Sequence, residues 1–337
     1  MLSSLHKETS ENMSKEIFIE NLTVGEELTD FFMAKNGSLK TGSNQKIYFD
    51  VTLADKTGEI NGKKWDVSDD EAASLSVLKD GTVVKIRASV SEWNGIKQLK
   101  ILRIRKAADS DELEMSDFVK AAPEDPEEML SYITGQAEAI GNPRLKALCL
   151  NTLSENREKL LYYPAAKANH HAELGGLLYH TRRMLTLGLK ACLVYTNLDK
   201  DWVTAGVIMH DMEKINEIAA NEFGISSGYT VKGNLLGHIV MGAISMAERA
   251  KAAGLSEEET VMMQHMIISH HNEPEFGSPL RPMFPEAELL HHLDMLDARM
   301  YDFEEGLKSA QPGGFSERVR TLDGRLLYKP SFADEKK

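Results

Sequence analysis

The chain has 337 residues, 42% of them hydrophobic and 27% charged, with a net charge of -13. That length allows two or three domains and a sizeable buried core, and the net acidity excludes a general nucleic-acid coat. Only Cys149 and Cys192 are present, which excludes a disulfide framework or zinc ribbon, and no stretch approaches the roughly 20 apolar residues that span a bilayer.

Residues 1–15 are polar and charged without an apolar signal-like core, and read as a disordered tail on a cytoplasmic protein. Residues 16–106 carry a strand pattern. Residues 46–54 alternate β-branched and aromatic side chains with polar ones, Asp55-Lys56-Thr57-Gly58 is turn chemistry, and a second run covers 59–67. Residues 81–90 and 96–105 flank Asn94-Gly95, a dipeptide suited to a type I′ hairpin. About five short strands with a polar helical insert near 69–78 predict a small closed barrel of the OB type.

Such barrels bind single-stranded nucleic acid by stacking bases on aromatic rings beside a basic groove. Tyr48, Trp65 and Trp93 are the candidate platforms, with Lys63, Lys64, Lys97 and Lys100 as candidate phosphate contacts. Phe49 is assigned to the core. Net charge divides unevenly, because the first 110 residues are close to neutral and almost all the acidic excess follows. The near-neutral part ends in the basic run Lys97, Lys100, Arg103, Arg105 and Lys106.

Residues 107–125 are acidic and poor in apolar side chains, and read as a linker. The period then becomes helical. Asp125-Pro126-Glu127-Glu128 supplies an N-cap, a proline at the first helical position and acids that suit the dipole, and Asn142-Pro143 repeats the device. Helix after helix is expected over 126–310, followed by a C-terminal extension, 311–337. Leu174, Leu177, Leu178, Leu185 and Leu189 fit one apolar face, as do Leu235, Leu236, Ile239, Val240 and Ala243. The methionines read as core filler, and Gly175-Gly176 as a close backbone approach or a helix entry.

The helical part is organised around His210-Asp211, a pair that can present an imidazole and a carboxylate to one metal ion. His180 precedes it; His238, His270-His271 and Asp294 follow at intervals of 24 to 32 residues, each one helix plus its connection. One ligand per helix is how a bundle builds a metal site in its core. An apolar-helix carboxylate such as Asp294 also needs a partner, because an isolated buried charge is costly. His6, His265, His291 and His292 are assigned ordinary structural roles.

His180, His210-Asp211 and Asp294 resemble the motif of the HD superfamily of metal-dependent phosphohydrolases. The chain further resembles the YhaM-type 3′-to-5′ exoribonucleases, which join an N-terminal OB fold to an HD domain. Residues 164–172, Gly175-Gly-Leu-Leu-Tyr-His180, Ser269-His-His271, Gly277-Ser-Pro279, Asp294-Met-Leu-Asp-Ala-Arg299 and Leu326-Leu-Tyr-Lys-Pro330 carry this likeness, in the family's order and over nearly the whole chain. Glu213 and Asn272 depart from it, standing where the family commonly has glycine.

The resemblance implies hydrolysis of single-stranded RNA from its 3′ end, with single-stranded DNA as a further candidate substrate. Two divalent ions are implied, Mn²⁺ or Co²⁺ ahead of Fe²⁺, Zn²⁺ or Mg²⁺. One would take His180, His210, Asp211 and Asp294; the other would share Asp211 and take His238, His270 and His271. Lys214 becomes a catalytic electrostatic group beside Asp211, while His170, His171 and Arg299 are weaker candidates for substrate phosphate. Homo-oligomer formation is carried by analogy alone, and no membrane partner is expected. Two other classes stay open: a phosphodiesterase for small or cyclic nucleotides with a regulatory β module, and a nucleic-acid-binding protein with a silent helical domain.

Overall fold

The computed structural model describes residues 14–42, 45–78, 80–93, 95–108, 110–167, 171–222, 224–308 and 310–332. The chain divides into two compact units between Ala121 and Ala122.

In the first unit, β1 (Glu27–Thr41), β2 (Ile47–Asp55), β3 (Gly58–Lys64), β4 (Thr82–Trp93) and β5 (Ile96–Lys106) close a barrel in the order β1-β2-β3-β5-β4. Neighbours are antiparallel except β3 and β5, which run parallel. Helix α1 (Asp69–Ser76) lies between β3 and β4, started by a capping box in which Ser68 and Glu71 exchange hydrogen bonds. Alternate residues point inward, so Phe32, Phe49, Leu53, Ile86 and Leu99 fill the interior. β1 was the least legible strand, because Asn36-Gly37 interrupts its pattern at a bulge between Lys35 and Ser38. Asn94 lies outside the described residues; Gly95 has φ 78°.

Two assignments at the edges of this unit change. Lys15, expected in the tail, is buried: its ammonium donates to Ile17 O and Phe31 O at 2.8 Å and lies 3.3 Å from Asp55. The expected linker carries buried Phe118 and Val119, and Lys56 pairs with Asp117 at 2.7 Å. Two apolar side chains outweigh the acidic composition there, at roughly 1.5–3 kcal/mol per fully buried large side chain.

The second unit contains α2 (Pro126–Glu138), α3 (Pro143–Leu160), α4 (Gly176–Val194), α5 (Lys200–Met209), α6 (Lys214–Glu217), α7 (Val231–Ala253), α8 (Glu257–Ser269) and α9 (Pro285–Lys308). Their starts obey local chemistry. Asp125 and Asn142 accept hydrogen bonds from the first backbone N–H groups of α2 and α3, each with proline next, and Ser256 with Glu259 forms a capping box on α8. One core of Leu, Ile and Met side chains, including Met129, Leu177, Ile208, Met266 and Leu290, joins the helices.

Two hairpins accompany the helices: β6 (Ile218–Ala220) with β7 (Ser226–Tyr229), and β8 (Phe315–Val319) with β9 (Arg325–Tyr328). The second organises the C-terminal extension and buries Leu322 and Leu327. The expected apolar face on α7 is not realised as a buried stripe. Gly237 adopts φ 70°, ψ 160° and breaks the helical phase, leaving Leu235, Leu236 and Val240 exposed while Ile239 is buried.

Candidate metal centre

Asp211 lies at the centre of the second unit, in the turn joining α5 to α6, with His210 closing α5. His180 comes from the second turn of α4, His238 from α7 immediately after the Gly237 break, and His270 from the end of α8 with His271 next. Asp294 projects from α9. The entry to α4 is tightly built: Gly175 has φ 71°, and a Cβ on Gly176 would sit 2.1 Å from His171 O. Only glycine permits that approach, and it fixes the helix carrying His180.

The five imidazoles share one arrangement. Nδ1–H of His210, His270 and His271 donates to backbone carbonyls of Val207, Ile267 and Phe276 at 2.9, 2.7 and 2.7 Å. Nδ1 of His180 lies 2.8 Å from Asp297 Oδ2, and Nδ1 of His238 lies 3.0 Å from Glu217 Oε2. A carbonyl can only accept, so each of the first three rings holds its proton on Nδ1 and leaves a lone pair on Nε2. The carboxylates impose the same tautomer on the other two.

Every Nε2 then faces the two aspartates. His210 and His180 reach Asp211 Oδ2 at 3.2 and 3.8 Å, His238 and His270 reach Asp211 Oδ1 at 3.4 and 3.8 Å, and His180 and His271 reach Asp294 at 3.3 and 3.7 Å. Nε2 of His180, His210, His238 and His270 is buried without a hydrogen bond among the described residues, as is Asp211 Oδ1. Buried lone pairs aimed at one small space are costly unless a cation satisfies them, so the donor set fits a divalent metal. Among the described residues three groups of donor atoms lie within 4.8 Å of one another: His180, His210 and Asp211; His238, His270 and His271; and, on the Nδ1 side of His180, His171, His180 and Asp297.

Charge follows this geometry. Burial would raise the Asp211 carboxyl, but His210 and Lys214 outweigh it and hold it well below the usual carboxylate range. Burial likewise opposes the charge on Lys214, yet Asp211 and Asp294 keep its pKa raised, with Nζ 2.7 Å from Asp211 Oδ2. Desolvation pulls His270 and His271 down, so both stay neutral. Burial opposes a charge on His180, but Asp294 and Asp297 push its pKa up to about 9, so without a cation its Nε2 carries a proton that metal binding must displace.

Several residues around the centre were not singled out from the sequence. Asp297, one turn after Asp294, also takes His171 Nε2 at 2.8 Å and Arg183 Nε at 2.6 Å. Tyr301 O–H donates to Glu173, which lies beside His171. His171, expected near substrate phosphate, is fully buried and engaged with Asp297; His170 lies outside the described residues. The signal for Asp297 and Glu217 was spacing, one turn from Asp294 and Lys214 respectively. Glu213, one of the two departures, is buried and bonds Asn216, and Asn272, the other, has φ 64°. His291 donates through Nδ1 to His270 O, His265 accepts from Met283 N, and exposed His292 pairs with Glu288.

A cavity of about 420 Å³ opens beside the centre, with Lys214, His271 and Asp294 at one end and Arg299 further along α9. In the barrel, Lys63, Trp65, Trp93 and Lys100 line one groove of about 390 Å³, and Trp65 stacks on Tyr48 with centroids 4.6 Å apart. Trp65 and Trp93 are 43% and 69% exposed, as a stacking platform requires. Lys64 and Lys97 do not join them: Lys64 is buried against Glu71 at 3.0 Å, and Lys97 donates to Leu22 O at 2.6 Å.

Fold and centre together define an HD-type helical domain preceded by an OB-type barrel, and residues 177–299 match the HD domain model. Three relatives extend the match across the chain. Proteins named 3′-5′ exoribonuclease YhaM are 39% identical in Halalkalibacterium halodurans (92% of this chain, 95% of theirs), 38% in a Geobacillus species (94% and 95%) and 37% in Shouchella clausii (93% and 97%). The chain belongs to the YhaM family of 3′-5′ exoribonucleases.

Proposed function

We propose that the protein is a metal-dependent exoribonuclease that shortens single-stranded RNA from its 3′ end and releases nucleoside monophosphates. The observation that carries this reading is the convergence of five Nδ1-anchored imidazoles on Asp211 and Asp294. His180, His210, Asp211 and Asp294 would hold one cation, and Asp211, His238, His270 and His271 a second. When bound, divalent cations neutralise phosphodiester charge and acidify the attacking water. Mixed imidazole and carboxylate donors favour Mn²⁺ or Co²⁺ ahead of Fe²⁺, Zn²⁺ or Mg²⁺.

Lys214, held protonated by Asp211 and Asp294, presents its ammonium at the cavity end nearest Asp294 and offsets charge on a phosphate oxygen. Arg299 lines the same cavity and adds a second positive group for substrate. Tyr48, Trp65 and Trp93 give bases a stacking surface beside Lys63 and Lys100. Stacking does not read the sugar, so single-stranded DNA fits this surface as well. The free cysteines Cys149 and Cys192 suit a reducing compartment such as the cytoplasm. The test is removal of bound metal with a chelator: RNA shortening should stop and return on adding Mn²⁺ or Co²⁺, and shortening that persists in the stripped protein would sink the reading.

A further inference from the structure

The cavity beside the metal centre is graded along its length. Its residues on α9 run from Asp294 through Met295, Ala298 and Arg299 to Asp302, eight residue steps or about 12 Å of helix. The first end carries Asp294 and Lys214. The middle is apolar, with Met295 and Ala298 lining it and the exposed ring of Phe276 beside them. The far end is polar: Asp302 and Thr321 line it, and Asp323 lies 3.6 Å from Arg299. Thr321 and Asp323 belong to the turn between β8 and β9, so the C-terminal extension forms part of the cavity wall.

Phosphate chemistry at one end, an apolar surface in the middle and hydrogen-bonding groups at the far end match the order phosphate, ribose, base in one nucleotide. A volume of about 420 Å³ is at the small end of ligand pockets, which span roughly 300–1,000 Å³, and suits one nucleotide better than a passing strand. We propose that this cavity receives the 3′-terminal nucleoside, with its ribose and base against Met295, Ala298 and Phe276 and its base edge toward Arg299, Asp302 and Thr321. The C-terminal turn is then the end wall that limits the site to a chain terminus. This assignment rests on the exoribonuclease reading and adds to it a subsite for the leaving nucleotide.

Adenosine 5′-monophosphate and inorganic phosphate are suitable probes, titrated against the Mn²⁺-loaded full chain by calorimetry. Ala298→Trp fills the middle of the cavity, and Thr321→Trp obstructs it from the exposed turn, where folding is least at risk. Each substitution should weaken adenosine monophosphate binding at least tenfold and phosphate binding less than threefold. Equal losses for both probes, or adenosine monophosphate affinity within threefold of wild type in the Thr321→Trp protein, would overturn the assignment. Shortening of a 5′-labelled RNA by the wild type is run beside the titration. A wild type that shortens RNA but binds the nucleotide no better than phosphate removes the subsite alone; one that does not shorten RNA removes the functional reading and the subsite with it.

Discussion

Oδ2 of Asp297 stands 2.8 Å from Nδ1 of His180, so a carboxylate behind the ring decides which of its nitrogens faces Asp211 and Asp294. The same oxygen lies 2.8 Å from His171 Nε2, and the other oxygen pairs with Arg183. Asp297 thus fixes a tautomer and balances buried positive charge at once.

Asp297→Asn puts an amide where two imidazole N–H groups need an acceptor. A carboxylate behind a ligating histidine is worth about 10- to 100-fold in metal affinity. Calorimetric titration of the metal-free protein with Mn²⁺ should show a loss in that range; affinity within twofold of wild type would contradict the positioning role.

Lys214→Met keeps the length of the side chain and removes its charge. Losing one preorganised charge at a reacting phosphate costs about 10²–10³ in kcat. We expect that fall with Mn²⁺ content retained, measured by single-turnover cleavage and elemental analysis; an unchanged rate would reduce Lys214 to a partner of Asp211.

Gly176→Ala would set a methyl group 2.1 Å from His171 O, a backbone atom that cannot swing aside. Overpacking of this kind costs about 1–3 kcal/mol or more. The melting temperature should fall and metal binding weaken together, because the displaced segment begins the helix that carries His180. A melting temperature equal to wild type would show that the loop relaxes freely.

Glu259 connects pH to stability away from the centre. Its hydrogen bonds from Arg144, and then from Ser256 N–H, bring its pKa down to about 2 from 4.5. A carboxyl with a lowered folded-state pKa contributes stability above pH 4.5 and loses it as pH falls toward 2. The pair is partly solvated, so Glu259→Gln should cost about 1 kcal/mol at pH 7 and much less at pH 2.5, by urea unfolding. A cost independent of pH would assign the effect to packing.

The metal-binding candidates could be read because ligands must recur once per helix, which leaves an interval of 24 to 32 residues in the sequence. The groups behind them could not. Asp297 and Glu217 act through hydrogen bonds to rings, and a carboxylate on a helix looks the same in sequence whether it meets a histidine or water. His171 had the opposite difficulty: adjacency to the helix of His180 suggested a substrate contact, while folding back at Gly176 buried it. On α7 a continuous helical period was assumed, and Gly237 broke it. Lys64 and Lys97 carried the right charge, but β3 and β5 turn them toward Glu71 and Leu22 O. The turn at Asp323 was hidden for a further reason, since its approach to Arg299 of α9 depends on how the C-terminal hairpin folds back.

The most direct measurement follows a single-stranded RNA, labelled at its 5′ end, incubated with Mn²⁺ and either the wild type or the His210→Ala, Asp211→Ala double mutant. We expect a ladder that shortens from the 3′ end with time for the wild type and none for the mutant. Equal cleavage by both proteins would contradict the centre at Asp211, and intact RNA with the wild type would contradict the exoribonuclease itself.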